Sequence, residues 1–151
     1  VLTRDLDLGV RKPDATELAR AHKIMSSPEQ LINGNLNLAE AIYARETLQM
    51  REYPDTVTVS LHAYRIGDLC LLTTPCETFV EIGLELKKLS PFGTTMVIEL
   101  ANGYNGYLPT PQQHGWGGYE TWRAKSSYLE TEASVKMVAV FRDLFGGLRG
   151  Q

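Results

Sequence analysis

The chain has 151 residues, of which 43% are hydrophobic and 22% are charged. This composition is that of a folded globular protein and excludes disordered and fibrous classes, and the length suits one domain with its own core. We therefore expect a single domain over residues 1–151. The formal net charge of -3 and the dispersed Lys and Arg residues predict no nucleic-acid partner, because a phosphate backbone needs a concentrated basic surface.

The first residues and the apolar runs bear on targeting. No run of about 18 apolar residues occurs, so no transmembrane segment is predicted. Residues 1–5 lack the basic-then-apolar order of a signal peptide. Because the sequence also begins with Val1 and not with Met, we expect Val1 to be a processing point or a boundary within a longer protein.

Two helices are predicted in the first third of the chain. After a short extended segment, Pro13 and Asp14 begin a helical pattern that continues to Met25, and both residue types favour a helix N-terminus. The Asn-Gly-Asn cluster at residues 33–35 indicates a loop. Apolar residues then recur at helical spacing and predict a second helix over residues 37–50.

The middle of the chain predicts strands around one helix. Residues 56–63 alternate apolar and polar side chains, as a strand does, and Gly67-Asp68 predicts a tight turn into an antiparallel strand over residues 69–72. A helical stripe ending at Leu89 and a further apolar strand over residues 95–101 follow. This strand-helix-strand unit predicts a crossover between parallel strands.

The last third is irregular until its final helix. Between Asn102 and Ser127 the sequence is rich in Gly, Tyr, Pro, Gln and Trp, and long irregular segments in compact domains often carry function. A closing helix is predicted from Val135, ended by Gly146-Gly147. The predicted fold class is mixed α/β: a small mixed sheet with an antiparallel hairpin and a β-α-β crossover, covered by three to four helices.

A candidate site follows from the crossover. The loops after the two parallel strands leave the sheet at the same edge, where α/β proteins usually bind ligands. We expect that edge to bring Glu77 close to the segment from Asn102 to Tyr107, which includes Tyr104. On spacing alone two simpler interpretations stay open: Glu77 caps a helix, and the tyrosines pack with their hydroxyls at the surface.

The histidines and cysteines predict no self-contained metal site. His22, His62 and His114 lack the short spacing of metal ligands, and a closed zinc site needs four protein ligands. Cys70 and Cys76 match neither a zinc-binding spacing nor a disulfide framework, so buried thiols are the simplest interpretation.

Four blocks of the sequence resemble the neutral/alkaline ceramidase family, in the same order and at similar spacing. They are residues 66–83 with Thr-Pro-Cys-Glu at 74–77, residues 90–92 (Ser-Pro-Phe), residues 101–110 with Asn-Gly-Tyr-Asn-Gly-Tyr at 102–107, and residues 118–120 (Gly-Tyr-Glu). The resemblance is strongest over residues 56–122 and looks most like the bacterial ceramidase-like proteins. It implies that this chain is the C-terminal portion of a larger zinc-dependent catalytic domain.

The resemblance also implies roles for individual residues. In the family, zinc is held by two upstream histidines, a glutamate in a Pro-Gly-Glu turn and the second tyrosine of an Asn-x-Tyr-x-x-Tyr block. The last two ligands fall on Glu77 and Tyr107 here. A further family tyrosine, twelve residues later, polarises the amide carbonyl and holds the oxyanion, and the matching residue is Tyr119. Asn102 and Tyr104 are implied to contact the substrate.

The implied activity is hydrolysis of an N-acyl, lipid-like amide, with zinc as the cofactor. Three departures from the family pattern matter: Cys76 stands where the family has glycine, the interval between the two implied ligands is shorter, and the segment with the two histidines is absent. We therefore expect the chain to be inactive alone and to need a missing N-terminal segment of the same protein. The resemblance also implies a secreted or extracytoplasmic location.

Two alternatives stay open. In the first, the chain is a non-catalytic binding or structural module that keeps the family fold without a metal, and its stability is then independent of chelators. In the second, it is a subunit whose site is completed by histidines of another chain, and zinc then appears only in the complex.

Overall fold

Secondary structure in the computed structural model, which describes residues 1–26 and 38–150, follows the sequence pattern closely. The loop predicted at residues 33–35 lies outside the described residues. The elements in chain order are β1 (Leu2–Gly9), α1 (Ala15–Met25), α2 (Leu38–Met50), β2 (Thr56–Ile66), β3 (Leu69–Thr73), β4 (Glu77–Thr78), α3 (Val80–Leu89), β5 (Thr94–Ile98), β6 (Tyr107–Leu108), α4 (Pro111–Trp116), a 3₁₀ turn (Tyr119–Thr121) and α5 (Ala133–Arg149).

The first helix begins where the sequence predicts, because Asp14 and Glu17 cap it reciprocally. Asp14 Oδ1 accepts a hydrogen bond from the Glu17 backbone N–H at 2.8 Å, and Glu17 Oε2 accepts one from the Asp14 backbone N–H at 2.8 Å. This capping box satisfies two N–H groups that a helix N-terminus otherwise leaves unpaired. The helix packs against α2, so the two helices of the N-terminal third form a pair beside each other.

Four strands form the main sheet, in the order β1-β2-β3-β5. The first three are antiparallel neighbours, with Leu6 opposite Val59, and the hairpin between β2 and β3 turns at Gly67 with a φ of 61°. β3 and β5 are parallel, with Leu72 opposite Val97, and α3 connects them. The mixed α/β class, the hairpin and the crossover that the sequence predicts are confirmed.

One face of the sheet is buried beneath α5. Along β2, the buried residues Val59, Leu61 and Ala63 alternate with the partly exposed Ser60 and His62, as the alternating sequence predicts. α5 packs on β1 and β2 and also contacts α3. The largest fully buried side chains in the described ranges include Phe141, Leu8, Met50, Leu61, Leu72, Ile82, Leu86, Leu108, Met137 and Leu148. Each contributes about 1.5–3 kcal/mol when removed from water, so this core is the main source of stability.

The closing helix is longer than predicted, and its predicted end at Gly146-Gly147 is wrong. α5 continues through both glycines to Arg149. A Cβ at Gly147 would lie 2.6 Å from Leu2 Cδ1, so glycine allows the helix to approach β1 closely. Leu148 is fully buried, and this packing outweighs the poor helix propensity of the glycine pair. Neither α5 nor any other helix in the described part of the chain is long and apolar enough to cross a membrane.

The second parallel strand is shorter than predicted, since β5 ends at Ile98. Leu100 and Asn102 have left-handed φ values of 52° and 64°, which turn the chain away from the sheet. A left-handed backbone is uncommon for residues other than glycine, although Asn tolerates it better than Leu. The apolar sequence alone does not reveal this turn.

Residues 111–116 form a short helix that apolar periodicity does not predict. Thr110 Oγ1 accepts from the Gln113 backbone N–H at 3.4 Å, and Gln113 Oε1 accepts from the Thr110 backbone N–H at 3.0 Å. Pro111 occupies the first helical position, where its missing N–H has no cost. The start signal is therefore present in the sequence, but no apolar stripe follows it.

Candidate active site

Two chain segments meet at the edge of the sheet where β3 and β5 end. Thr74 N–H donates to Ile98 O at 3.0 Å, and Ala101 N–H donates to Thr74 O at 2.9 Å. Further along, Glu77 N–H donates to Gly106 O at 2.9 Å. These backbone bonds hold the loop after β3 against the loop after β5, so the two loops lie side by side.

Glu77 and Tyr107 are direct partners in the small parallel sheet formed by β4 and β6. Residues paired in a parallel ladder project their side chains to the same face, so the carboxylate and the phenol are neighbours. Hydrogen bonding with Tyr119, then burial and the charge of Glu77, raise the pKa of Tyr107 above its ordinary range. The Tyr107 phenol is therefore neutral at pH 7 and lies beside a carboxylate.

Tyr119 meets Tyr107 edge-on. Their ring centroids lie 5.8 Å apart, with an angle of 86° between the ring planes. Tyr119 begins the 3₁₀ turn, directly after Gly117 and Gly118, whose φ values of 84° and 115° need glycine. Tyr119 is 56% exposed, so this face of the site is open to solvent. Tyr107 thus lies between Glu77 and Tyr119.

Tyr104 and Asn102 occupy different parts of the same loop. The Tyr104 hydroxyl donates to Glu77 Oε1 at 3.1 Å, and burial followed by this bond and the charge of Glu77 raises the pKa of Tyr104. Asn102 Nδ2 instead donates to Thr73 Oγ1 at 3.4 Å, at the end of β3. Tyr104 therefore lies at the carboxylate, whereas the Asn102 amide turns back toward the sheet.

Asn105 is a structural link that the sequence analysis did not single out. Its backbone N–H donates to Pro75 O at 2.7 Å, and its Oδ1 accepts from the Tyr128 hydroxyl at 2.6 Å. Tyr128 is 7% exposed, and burial raises its pKa to about 12. The Asn-Gly-Tyr triplet at 102–104 recurs at 105–107, and this repetition was the available signal for a second structural Asn.

Cys76 stands where the family pattern has glycine. Its backbone does not adopt the left-handed conformation that would require glycine at this position. In the described ranges the non-glycine residues with positive φ are Leu100 and Asn102. The Cys76 thiol is fully buried in the core, and burial raises its pKa to about 12. Cys70 is buried too and both thiols are free, as expected from their spacing. The side chain at this position therefore fills core space behind the site.

The three histidines lie on three separate elements and do not form a cluster. His22 is on α1, His114 is on α4, and His62 is on β2, where its Nδ1 hydrogen-bonds Thr3 Oγ1 at 2.9 Å. Across residues 1–26 and 38–150, no three His, Cys, Asp or Glu side chains form a group able to hold a metal ion. Glu77 therefore belongs to no such group in this part of the chain, and Tyr107 is the oxygen donor paired with it.

Comparison with known proteins bears on the fold. No protein-family model matches the chain, and no curated protein matches it significantly. Solved structures do match, among them a ceramidase complexed with C2, with a TM-score of 0.53, and the neutral ceramidase from Pseudomonas aeruginosa, with a TM-score of 0.54. Each is 22% identical to this chain and covers 64% of it. The chain has a ceramidase-like fold.

The ceramidase-like fold corresponds to a small part of each matched protein. This chain spans 15% of the length of the first structure and 16% of the second. The likeness agrees with the family that the four sequence blocks indicate. An identity of 22% establishes the fold, so the chemistry has to be argued from the side chains described above.

Proposed function

We propose that the chain contributes half of the active site of a zinc-dependent amide hydrolase that acts on an N-acyl, lipid-like amide. The observation that carries this proposal is the pairing of Glu77 with Tyr107 across the β4–β6 ladder. Tyr119, edge-on to Tyr107, adds a phenol at the same place. The ceramidase-like fold supports the same reaction class, because these three residues occupy the positions that the family motif reserves for it.

The donor set fits half of a zinc coordination shell. Catalytic zinc is most often held by His, Cys and carboxylate side chains and keeps a position open for water or substrate. In this chain the Glu77 carboxylate and the Tyr107 phenol would hold the ion. When bound, zinc supplies Lewis-acid activation of a water molecule. The remaining ligands, which we propose to be two histidines, come from a segment outside this sequence.

Tyr119 has the role of oxyanion donor in this proposal. Amide hydrolysis passes through a tetrahedral species whose oxygen carries negative charge, and a fixed hydrogen-bond donor stabilises that charge. The exposed Tyr119 side chain lies beside Tyr107, where we propose that the carbonyl of the substrate binds. A neutral phenol donates a hydrogen bond without bringing a charge that would repel the ion.

Tyr104 orients the carboxylate. Its hydroxyl donates to one oxygen of Glu77, which leaves the other oxygen available to an ion. Hydrogen bonds of this kind fix the direction of a ligand and tune its affinity. We propose that Tyr104 and Asn102 also contact the substrate: Tyr104 lies at the carboxylate, and Asn102 is exposed on the same loop although its amide binds Thr73.

The surface around Glu77 supports an acylated substrate. Leu100 and Tyr104, on the loop between β5 and β6, are 49% and 58% exposed. An acyl chain gains free energy when it lies along such side chains, because apolar surface leaves water on both partners. A small polar amide would gain much less here.

The test is an amidase assay on the longer polypeptide that contains this chain, with zinc content measured in the same sample. A fluorescent N-acyl amine is the probe, and chelation is expected to abolish cleavage, with zinc restoring it. Cleavage that persists without any metal would contradict the proposal. A longer polypeptide that neither binds added zinc nor cleaves the probe in its presence would also contradict it.

A non-catalytic module is the second candidate, favoured by one observation. The described residues hold no group of three His, Cys, Asp or Glu side chains suited to a metal. If this candidate is right, the melting temperature of the longer polypeptide is unchanged by chelator and by Glu77→Ala.

A third arrangement, in which another chain supplies the histidines, has a different signature. Zinc then appears only when that chain co-purifies.

A further inference from the structure

Arg11 lies between β1 and α1, and its guanidinium binds a single stretch of the chain. Nε donates to Leu129 O at 2.9 Å, Nη1 to Thr121 O at 2.7 Å, and Nη2 to Ser127 O and Oγ at 2.7 and 2.8 Å. All these acceptors belong to residues 121–129, and three of the four are backbone carbonyls. The guanidinium therefore fixes the path of this segment.

The segment held by Arg11 supports Tyr107. The Tyr107 backbone N–H donates to Ser126 O at 2.7 Å, and the preceding Gly106 forms a β-bridge with Ser127. Ser127 is the residue that accepts two of the guanidinium bonds. The position of β6 therefore depends on where Arg11 holds Ser127.

The same segment supports Tyr119. The 3₁₀ turn that begins at Tyr119 ends at Thr121, whose carbonyl accepts from Arg11 Nη1. Ser127 Oγ also donates to Glu120 O at 2.6 Å, which ties this turn to the stretch beside β6. Residues 126 and 127 thus support Tyr107, and the turn that ends at Thr121 carries Tyr119. The guanidinium binds both of these parts of the chain.

We propose that Arg11 is a positioning residue that sets the separation of Tyr107 and Tyr119, whose ring centroids lie 5.8 Å apart. It acts through Ser127 and Thr121. The importance of this separation rests on the proposed function, in which Tyr107 holds the ion and Tyr119 binds the oxyanion. A shift of about 1 Å between such groups is enough to lower a catalytic rate by a large factor.

A contribution to stability alone accounts poorly for this residue. No salt bridge with a carboxylate is seen for Arg11 in the described ranges, and burial, then the charge of Arg123, lowers its pKa to about 10. Arg11 is partly buried, and a cation without a counter-charge has no ion pair to offset its desolvation. A planar fork of donors is needed here, however, because carbonyls in different directions have to be held together.

Two substitutions distinguish the effect of the planar set of N–H donors of Arg11 from the effect of its positive charge. Arg11→Lys keeps the cation on a single nitrogen, which cannot reach Thr121, Ser127 and Leu129 together. Arg11→Met removes the charge and keeps an apolar stem. The backbone link persists in both variants, because Arg11 N–H donates to Tyr128 O at 2.8 Å.

The matched control is Leu148→Ala, which destabilises the core at the other end of the chain. Leu148 is fully buried in the last turn of α5, and its carbonyl accepts from Arg65 Nη1 at 3.0 Å. This variant lowers global stability without altering the fork. It therefore shows what a purely structural loss does to each measured signal.

The readouts are hydrogen exchange at the Tyr107 amide and the ¹⁹F resonance of Tyr119 in the metal-free 151-residue chain labelled with fluorotyrosine. In both Arg11 variants we expect hydrogen exchange at the Tyr107 amide to accelerate at least about tenfold more than exchange at the amides of the core strands does. The reason is that the charge-assisted hydrogen bonds of the guanidinium are lost. The Tyr119 resonance should shift toward its value in Tyr107→Phe. Leu148→Ala should speed all core amides alike and leave the Tyr119 resonance in place.

Identical patterns in the Arg11 variants and in Leu148→Ala would overturn the proposal. Wild-type exchange at Tyr107 in Arg11→Lys would overturn it too, because charge alone would then suffice. Should Arg11→Met not fold, Arg11→Lys still supplies the comparison. The readouts need neither zinc nor substrate, so their outcome is separate from that of the amidase assay.

Discussion

Glu77 and Tyr107 face each other in a parallel ladder of two residue pairs, although they are far apart in the sequence. They meet because the crossover through α3 returns the chain to the edge that it left after β3. Neither residue alone makes a site, and the contact depends on the loop between β5 and β6 closing over residues 74–77.

Zinc affinity should distinguish the role of Glu77, the proposed ligand, from that of Tyr104, which orients the carboxylate. In the longer polypeptide, Tyr104→Phe removes the hydrogen bond to Glu77 Oε1, and we expect zinc affinity to fall about 10- to 100-fold. Glu77→Gln removes a ligand and should cost more. Competition with a zinc chelator measures both. Tyr64→Phe, on β2, is the control and should bind zinc as the wild type does; equal affinities of Tyr104→Phe and Tyr64→Phe would contradict the orienting role.

Tyr119→Phe should lower the rate without releasing the metal. Loss of one oxyanion donor typically reduces kcat about 10²- to 10³-fold, because the bond matters most in the transition state. We therefore expect kcat of the longer polypeptide to fall in this range while its zinc content and KM change little. Steady-state kinetics with parallel metal analysis provides the check. A variant that loses zinc in proportion to activity would instead place Tyr119 among the metal ligands.

Gly106→Ala should destabilise the loop closure. Gly106 has a φ of 72°, and an added Cβ would lie 2.3 Å from Ser126 O, the carbonyl that binds the Tyr107 amide. A left-handed residue with a side chain costs about 1–2 kcal/mol, and the clash adds to this. Urea unfolding measures the free-energy change.

The control for Gly106→Ala is a glycine in open space. Gly83 lies within α3 and nothing lies within 4 Å of an added Cβ, so Gly83→Ala should stabilise the chain by about 0.5–1 kcal/mol. Opposite signs for the two variants are expected. Destabilisation of similar size in both would mean that the loop adapts and that the glycine at 106 is not required.

The architecture is readable from sequence where a local pattern determines it. Alternation along β2, the turn at Gly67 and the stripe of α3 predict the sheet, the hairpin and the crossover, because side-chain burial and turn chemistry act over a few residues. The meeting of the two loops then follows from the topology. The β4–β6 ladder does not, since two-residue strands leave no periodicity in a sequence.

Two features stayed hidden because long-range packing decides them. Gly146-Gly147 look like a helix end, yet close approach to Leu2 keeps them helical. Arg11 carries no local signal, because its acceptors lie more than a hundred positions away and are mostly backbone carbonyls that any residue provides. The roles of Glu77 and Tyr119 came from a motif, and these assignments remain predictions.

Alkaline pH should destabilise the chain through Cys76. Its thiol pKa is about 12 in the folded state against 9.0 for an unperturbed thiol, because burial disfavours the thiolate. The unfolded chain therefore loses this proton first. Stabilisation from the neutral thiol is complete below pH 9 and falls by about 1.4 kcal/mol per pH unit as the pH rises from 9 toward 12.

Urea unfolding of the wild type and of Cys76→Ala at several pH values distinguishes the contribution of this thiol from that of the tyrosines that titrate in the same range. The variant should show a shallower loss of stability above pH 9, and an identical pH slope in both proteins would mean that Cys76 reaches water in the folded state.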